Sequence, residues 1–425
     1  MTLLLTVLVF LIWVCALVNS KGDVSSPSVL ITSGFLISVF VYVAFSSSWG
    51  SDVTINTVLV ISGGLISFIL GEAAAKHLFL VRKPERLATY ALPKMPPLAN
   101  AFFAVLVLVC ILDIVLQYQS ITNLVSAATA DPVLGAYRQR LTEASMPFYL
   151  KLFNNILIPT SALLSAFVMV FYKGQRKYWL VFALCCLASV LTSNRSGVLC
   201  FAISLIVLWL FKKGCTSNWS SFHMKLIVKV ASVGLLVVVL FSVLGTLTGK
   251  IIDIPDAVEA FGIYAGASIA LFDQFLNEFI YSLNNFGSET LYGVSGFFNI
   301  VGFDLGDGIY KFLPFSFIGD SGFTANTYTG LRRLIHDYNY GGAFFILFSM
   351  GFLYSKLYQA AKSSFCGGWF FPVLLYALVS AYLVLEGVDE LFFFFSALTV
   401  SALLMYVLLW LFSRFFGGKE LKRER

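Results

Sequence analysis

Eleven apolar stretches dominate this chain, most of them close to the ~20 residues that a helix needs to cross a hydrocarbon core. They run over 2–20, 29–49, 55–75, 99–118, 150–172, 178–194, 196–211, 225–247, 341–361, 369–386 and 391–413. Charged residues make up 12% of the 425, against about 25% in an ordinary soluble domain. With a mean hydropathy of +0.88, the expected fold is an all-α polytopic integral membrane protein forming a single transmembrane domain over 1–425. The continuous apolar runs exclude an outer-membrane barrel, whose strands alternate apolar and polar residues. The first stretch has no Lys or Arg ahead of it and is followed at once by others, so it reads as a span and not a removable signal.

Charge gives the expected orientation, because Lys and Arg collect in cytoplasmic loops. The basic tail 414–425 is set inside with Arg414, Lys419, Lys422, Arg423 and Arg425, and the spans are alternated backwards from it. The segment 76–98 (Lys76, Arg82, Lys83, Arg86, Lys94), 173–177 and 212–225 then also fall inside, and most acids fall outside. The N-terminus is expected outside. Five arginines go against the trend: Arg138, Arg140, Arg195, Arg332 and Arg333 sit in outward-facing loops. Guanidinium groups held on that side point to an anionic ligand there. None of the seven cysteines falls in an outer loop, so no disulfide framework is expected, and no Cys/His spacing resembles a zinc site.

Two outer loops are long, 119–149 and 248–340. The second is rich in Phe, Leu, Ile and Tyr, so it is not a disordered linker. Within it, 259–283 is apolar with acids at intervals, which suits an amphipathic helix lying on the outer interface. As a twelfth span it would bury Asp273 and Glu278 and invert the tail. Glycines at 287, 293, 296, 302, 306 and 308 mark turns over a binding surface. Three acids fall within span limits. Glu72 and Glu386 are near enough to span ends to hydrate. Asp113 is deeper and needs a partner such as Arg138 or Arg195, or a position close to the interface.

The segment "NTYTGLRRLIHDYNYGG" (326–342) is the strongest local signal. As a helix it puts Arg332 and His336 on one face and Arg333 and Asp337 on the adjacent one. Together with the span after it, this segment resembles the last large periplasmic loop of Wzy-type oligosaccharide repeat-unit polymerases, the O-antigen and capsule polymerases. The matching positions are Asn326, Thr329, Leu331-Arg332, Asp337-Tyr338 and Gly341, with Asn339 where Gly is usual, and Tyr328 is a further residue of the motif. Asn tolerates a left-handed backbone better than most residues, so the turn can survive. A second stretch, "LTSNRSGVL" (191–199), resembles the same family and the related O-antigen ligases at Arg195.

The resemblance implies a GT-C-like glycosyltransferase architecture with short helices in the large periplasmic loop. It also implies an undecaprenyl diphosphate-linked oligosaccharide as both donor and acceptor, polymerised at the outer face of a bacterial inner membrane as in lipopolysaccharide biosynthesis. A chain-length regulator is an implied partner besides membrane lipids. No cofactor and no nucleic acid are expected. The leaving diphosphate needs fixed positive charge, for which Arg332 and Arg195 are the first candidates, Arg138 and Arg333 the second, and Arg140 a guide for the incoming lipid. The acceptor hydroxyl needs a base. Asp337 and His336 are candidates, although Asp337 could equally be the counter-ion of Arg333 and His336 a surface residue; Glu278, Asp273 and Glu289 also lie on that side. The pairs "DIPD" (253–256) and "DLGD" (304–307) are not DxD motifs, so the reaction is expected to be metal-independent. An O-antigen ligase, or a lipid-linked oligosaccharide flippase, is the alternative.

Overall fold

The computed structural model describes residues 1–78, 98–125, 147–172, 174–192, 195–216, 257–282, 286–291, 302, 313–366, 369–388 and 399–416. Its helices are α1 (Thr2–Asn19), α2 (Pro27–Phe45), α3 (Ile55–Leu78), α4 (Ala99–Val125), α5 (Phe148–Leu152), α6 (Ile158–Phe171), α7 (Tyr178–Leu191), α8 (Arg195–Thr216), α9 (Ala257–Glu278), α10 (Leu331–Cys366), α11 (Phe371–Leu385) and α12 (Val400–Phe416). A π-helical turn, Phe153–Leu157, joins α5 to α6. Helices among the described residues overlap ten of the eleven expected spans, while the eighth (225–247) and the start of the last (391–398) lie outside the described residues. Among the described residues six helical stretches are long and apolar enough to cross a membrane: 2–19, 27–45, 55–78, 99–120, 148–171 and 196–215. A protein with this many bilayer-length apolar helices is a helical membrane protein.

Burial divides the helices into inner and outer ones. In α6 and α11 nearly every side chain is buried. On α1 only the stripe Leu5, Val9, Ile12 and Ala16, with Leu17, is buried, while Leu3, Val7, Phe10 and Leu11 are exposed. An apolar helix open on one face fits a lipid-facing position. The close contacts are made by glycine. A Cβ on Gly71 would lie 1.9 Å from the Phe348 carbonyl oxygen, and one on Gly351 would lie 2.0 Å from that of Phe68, so α3 and α10 touch backbone to backbone. Small residues allow this approach where no hydrophobic force drives helices together in lipid.

The connecting segments sort to two ends of the bundle. At the upper end Asp320 N–H donates to Trp49 O (2.8 Å), Thr54 N–H to Asp273 (2.7 Å) and Gly330 N–H to Glu386 O (2.9 Å). At the lower end Lys362 pairs with Asp23 (2.6 Å), Tyr178 OH donates to Ala99 O (3.0 Å) and Phe370 N–H to Ser413 Oγ (3.0 Å). This is the sorting expected from alternating spans.

Two readings need correction. First, α9 is not an amphipathic helix lying on a surface. Ala260, Ile263, Ala267, Ile269, Ala270, Leu271 and Phe272 are buried, and Gly262 and Gly266 bring α9 against Phe45 and Tyr42 of α2. Its acid is not idle either. Asp273 accepts from Thr54 N–H, Thr54 Oγ1 (2.7 Å) and Thr57 Oγ1 (2.6 Å), capping the start of α3. The rest of the described outer loop contains a two-strand hairpin, β1 (Ser316–Phe317) and β2 (Thr324–Ala325), in the register Ser316↔Ala325 and Phe317↔Thr324. The first turns of α10, ahead of its break at Asn339, form one short helix within this loop. Second, Glu72 and Glu386 do not reach water; they are 0% and 1% exposed. Glu72 accepts from Ser28 N–H (2.7 Å) at the start of α2 and pairs with Lys76 (2.6 Å). Asp113 accepts from Gln117 (3.2 Å), whose amide also reaches Asn154 in the π-helical turn (2.7 Å), and the side chains of Arg138 and Arg195 lie outside the described residues.

Candidate functional site

The segment singled out by sequence builds the best-defined polar cluster at the upper end. Leu331, Leu334 and Ile335 bury one face of the first turns of α10, and Thr329 O accepts from Arg332 N–H (3.0 Å) as the helix starts. This fixes where Arg332, Arg333, His336 and Asp337 project. The helix then breaks at Asn339, with φ 58° and ψ 179°. That region is almost reserved for glycine and costs other residues about 1–3 kcal/mol. It is not the compact left-handed turn expected, since ψ is extended. The Asn339 side-chain oxygen accepts from Tyr340 N–H (2.7 Å), partly replacing the lost helical bond.

Glu289 is the centre of the cluster. It is buried and sits on the turn 286–291, which Gly287 opens with φ 75°. Its Oε2 accepts from Arg332 Nη1 (2.6 Å), its Oε1 lies 3.7 Å from His336 Nδ1, and its backbone oxygen accepts from Arg333 Nη1 (2.7 Å). The Arg332 guanidinium lies between two rings, with its central carbon 4.7 Å from the centre of Phe275 and 4.6 Å from that of Tyr328. Cation–π contacts of this kind strengthen when water is excluded. Arg332 is 6% exposed, and its Nε has no hydrogen-bond partner.

Asp337 holds the turn in place. Its carboxylate accepts from Glu289 N–H (3.1 Å), Thr290 N–H (2.7 Å), Thr290 Oγ1 (2.6 Å) and Ser288 Oγ (3.3 Å). Successive backbone N–H groups make an anion-binding concavity, here filled by the protein's own acid. The expected face-sharing of Arg333 with Asp337 gives no ion pair between them among the described residues. The one ring contact Asp337 makes as an acceptor is with His336, Nδ1 to Oδ1 at 2.9 Å. A carboxylate can only accept, so the Nδ1 proton of a neutral His336 points at it, and Nε2 is left as the lone-pair nitrogen. The His336 ring lies 6.1 Å from that of Phe279 and 6.5 Å from that of Phe275. Tyr338 OH bonds to Thr290 Oγ1 (2.7 Å), and burial, with Asp337 nearby, raises its pKa.

Of the other candidates, Tyr328 is buried and bonds to Ser316 Oγ (3.0 Å). Thr329 is fully buried, and Asn326 is half-buried two residues ahead of Tyr328. Arg195 is the first residue of α8, but its side chain lies outside the described residues. So do Arg138 and Arg140, the acid pairs at 253–256 and 304–307, and four of the glycines in the outer loop; Gly302, like Gly287, takes a positive φ. Arg332, Arg333, His336 and Asp337 are thus brought together, while the described structure does not bear on whether Arg138, Arg140 and Arg195 join them. Sequence reasoning gave Glu289 no more weight than other acids. The signal that could have raised it is "GSET" (287–290), a glycine turn followed by two hydroxyls that can donate to an acid. Nothing in the sequence indicates the Phe275–Tyr328 clamp.

Among the described residues no group of three His, Cys, Asp or Glu side chains could hold a metal ion. No family model matches the chain, and no curated protein or solved structure matches it either.

Proposed function

We propose that this protein is a Wzy-type membrane glycosyltransferase that polymerises undecaprenyl diphosphate-linked repeat units, with its upper end facing outward from a bacterial inner membrane and its basic tail in the cytoplasm. The observation that carries this reading is the gathering of Arg332, Arg333, His336 and Asp337 around Glu289, on the very segment that resembles the family. In this reading Glu289 fixes Arg332 through one Nη, and the guanidinium held between Phe275 and Tyr328 supplies fixed positive charge for the diphosphate. The guanidinium is held before the substrate arrives, so it costs no reorganisation as charge develops.

His336 takes the base role and Asp337 the orienting one, because the carboxylate of Asp337 is already occupied by the turn it anchors. The acceptor hydroxyl oxygen attacks the anomeric carbon of the donor glycan. The bond from that carbon to the diphosphate oxygen breaks, its electron pair stays with the diphosphate, and the hydroxyl proton passes to His336 Nε2. The arrangement supplies a cation, a base and an orienter.

The test is to incubate purified full-length protein in vesicles with a lipid-linked repeat unit and resolve the products on a gel. A ladder supports the polymerase. A single addition onto a lipid A core supports an O-antigen ligase, and intact lipid crossing the bilayer without new glycosidic bonds supports a flippase. For His336→Gln, which leaves the Glu289–Arg332 pair in place, the ladder rate is expected to fall by about 10²-fold or more while the protein stays folded.

A further inference from the structure

The lower end of the bundle contains a cavity of about 320 Å³, walled by Asp23, Ser26, Lys76, Tyr358, Gln359 and Lys362. We propose that it binds a phosphate group, either the head of a membrane phospholipid or inorganic phosphate. Two buried carboxylates lie beside the cavity. Asp23 accepts from Ser25 N–H (3.1 Å), Ser25 Oγ (2.7 Å), Tyr358 OH (2.5 Å) and Lys362 Nζ (2.6 Å). Glu72 accepts from Ser28 N–H (2.7 Å), Ser26 Oγ and Lys76 Nζ (2.6 Å). Each acid is therefore held by backbone and hydroxyl donors as well as by a lysine. An ammonium carries three N–H donors, and these carboxylates can keep their other partners if a lysine turns toward a second anion.

The two ammoniums come from different helices, Lys76 from α3 and Lys362 from α10, and both are part-exposed (31% and 23%). Their positions suit an anion held between them. The oxygens of both acids are already engaged, so a cation would find few open acceptors. The cavity is several times larger than a single water requires. It also belongs to a basic girdle, since Lys76, Lys177, Lys213, Lys362 and Arg414 all lie at this end. Clustered basic residues at a membrane surface attract anionic headgroups, and a lysine is a serviceable point-charge ligand for phosphate. This site does not depend on the glycosyl-transfer reading.

The experiment uses the full-length protein in a phosphate-free detergent. Retained phosphatidylglycerol is measured by native mass spectrometry, with phosphate-free diacylglycerol as the comparison, and inorganic phosphate is titrated by thermal shift. One phosphatidylglycerol retained in preference to diacylglycerol identifies the lipid as the source, and a saturable shift with inorganic phosphate identifies the free ion. In Lys76→Gln/Lys362→Gln either effect is expected to weaken by about tenfold or more, and in Lys76→Arg/Lys362→Arg to persist, which separates loss of charge from loss of fold. Equal retention of diacylglycerol with no response to phosphate, or unchanged affinity in the double glutamine variant, would overturn the proposal.

Discussion

The two ends of the molecule both bury carboxylates, but they hold them differently. At the upper end Glu289 faces two arginines and a histidine, and Asp337 is closed in by backbone N–H groups, with Phe275 and Tyr328 stacked on the Arg332 guanidinium. At the lower end Asp23 and Glu72 face flexible lysines across a cavity. The upper cluster is a fixed array, because planar guanidinium forks and rings leave few alternative geometries. The lower one can exchange partners. Preorganised charge suits chemistry, and exchangeable charge suits binding.

Substitutions can test this contrast. The largest effect is expected for Glu289→Gln, which leaves the buried Arg332 without a counter-charge. Breaking one side of a buried pair costs about 3–5 kcal/mol, to be read from unfolding of the purified protein in detergent. A change below about 1 kcal/mol would mean that the upper cluster is as open as the lower. Lys362→Gln removes a part-exposed partner from Asp23, which keeps Ser25 and Tyr358. Its expected cost in the same measurement is about 1 kcal/mol, and a cost matching that of Glu289→Gln would erase the distinction between the ends. The smallest change has the opposite sign. Asn339→Gly relieves a backbone conformation costing about 1–3 kcal/mol but loses the bond to Tyr340 N–H, worth about 1 kcal/mol. A modest net stabilisation is expected, and destabilisation would show that the Asn339 side chain matters more to the kink than its φ does.

Much of the fold was readable because hydropathy and charge act locally. A run such as 2–20 or 55–75 declares itself without reference to any neighbour, and the alternation of apolar runs sorts the described connections to two ends. What could not be read depends on partners far away in the chain. Asp273 looked too costly to bury because Thr54 and Thr57, which satisfy it, lie more than two hundred residues earlier. Glu72 was expected to hydrate for the same reason, since Ser26 and Ser28, which donate to it, lie more than forty residues earlier. At the site, the grouping of Arg332 with His336 followed from helical spacing. The central role of Glu289 and the ring clamp required the turn 286–291 and α9 to fold back onto α10. Asn339 was readable as a turn residue, but its extended ψ was not.

The account depends most on the upper end being the outward one. Thr324, exposed on the hairpin strand β2, can be changed to Cys in a chain whose native cysteines are replaced, and intact cells treated with a membrane-impermeant maleimide. Labelling from outside, without lysis, is the expected result. Labelling that appears only after the membrane is opened would put the Glu289 cluster in the cytoplasm and contradict the proposed reaction.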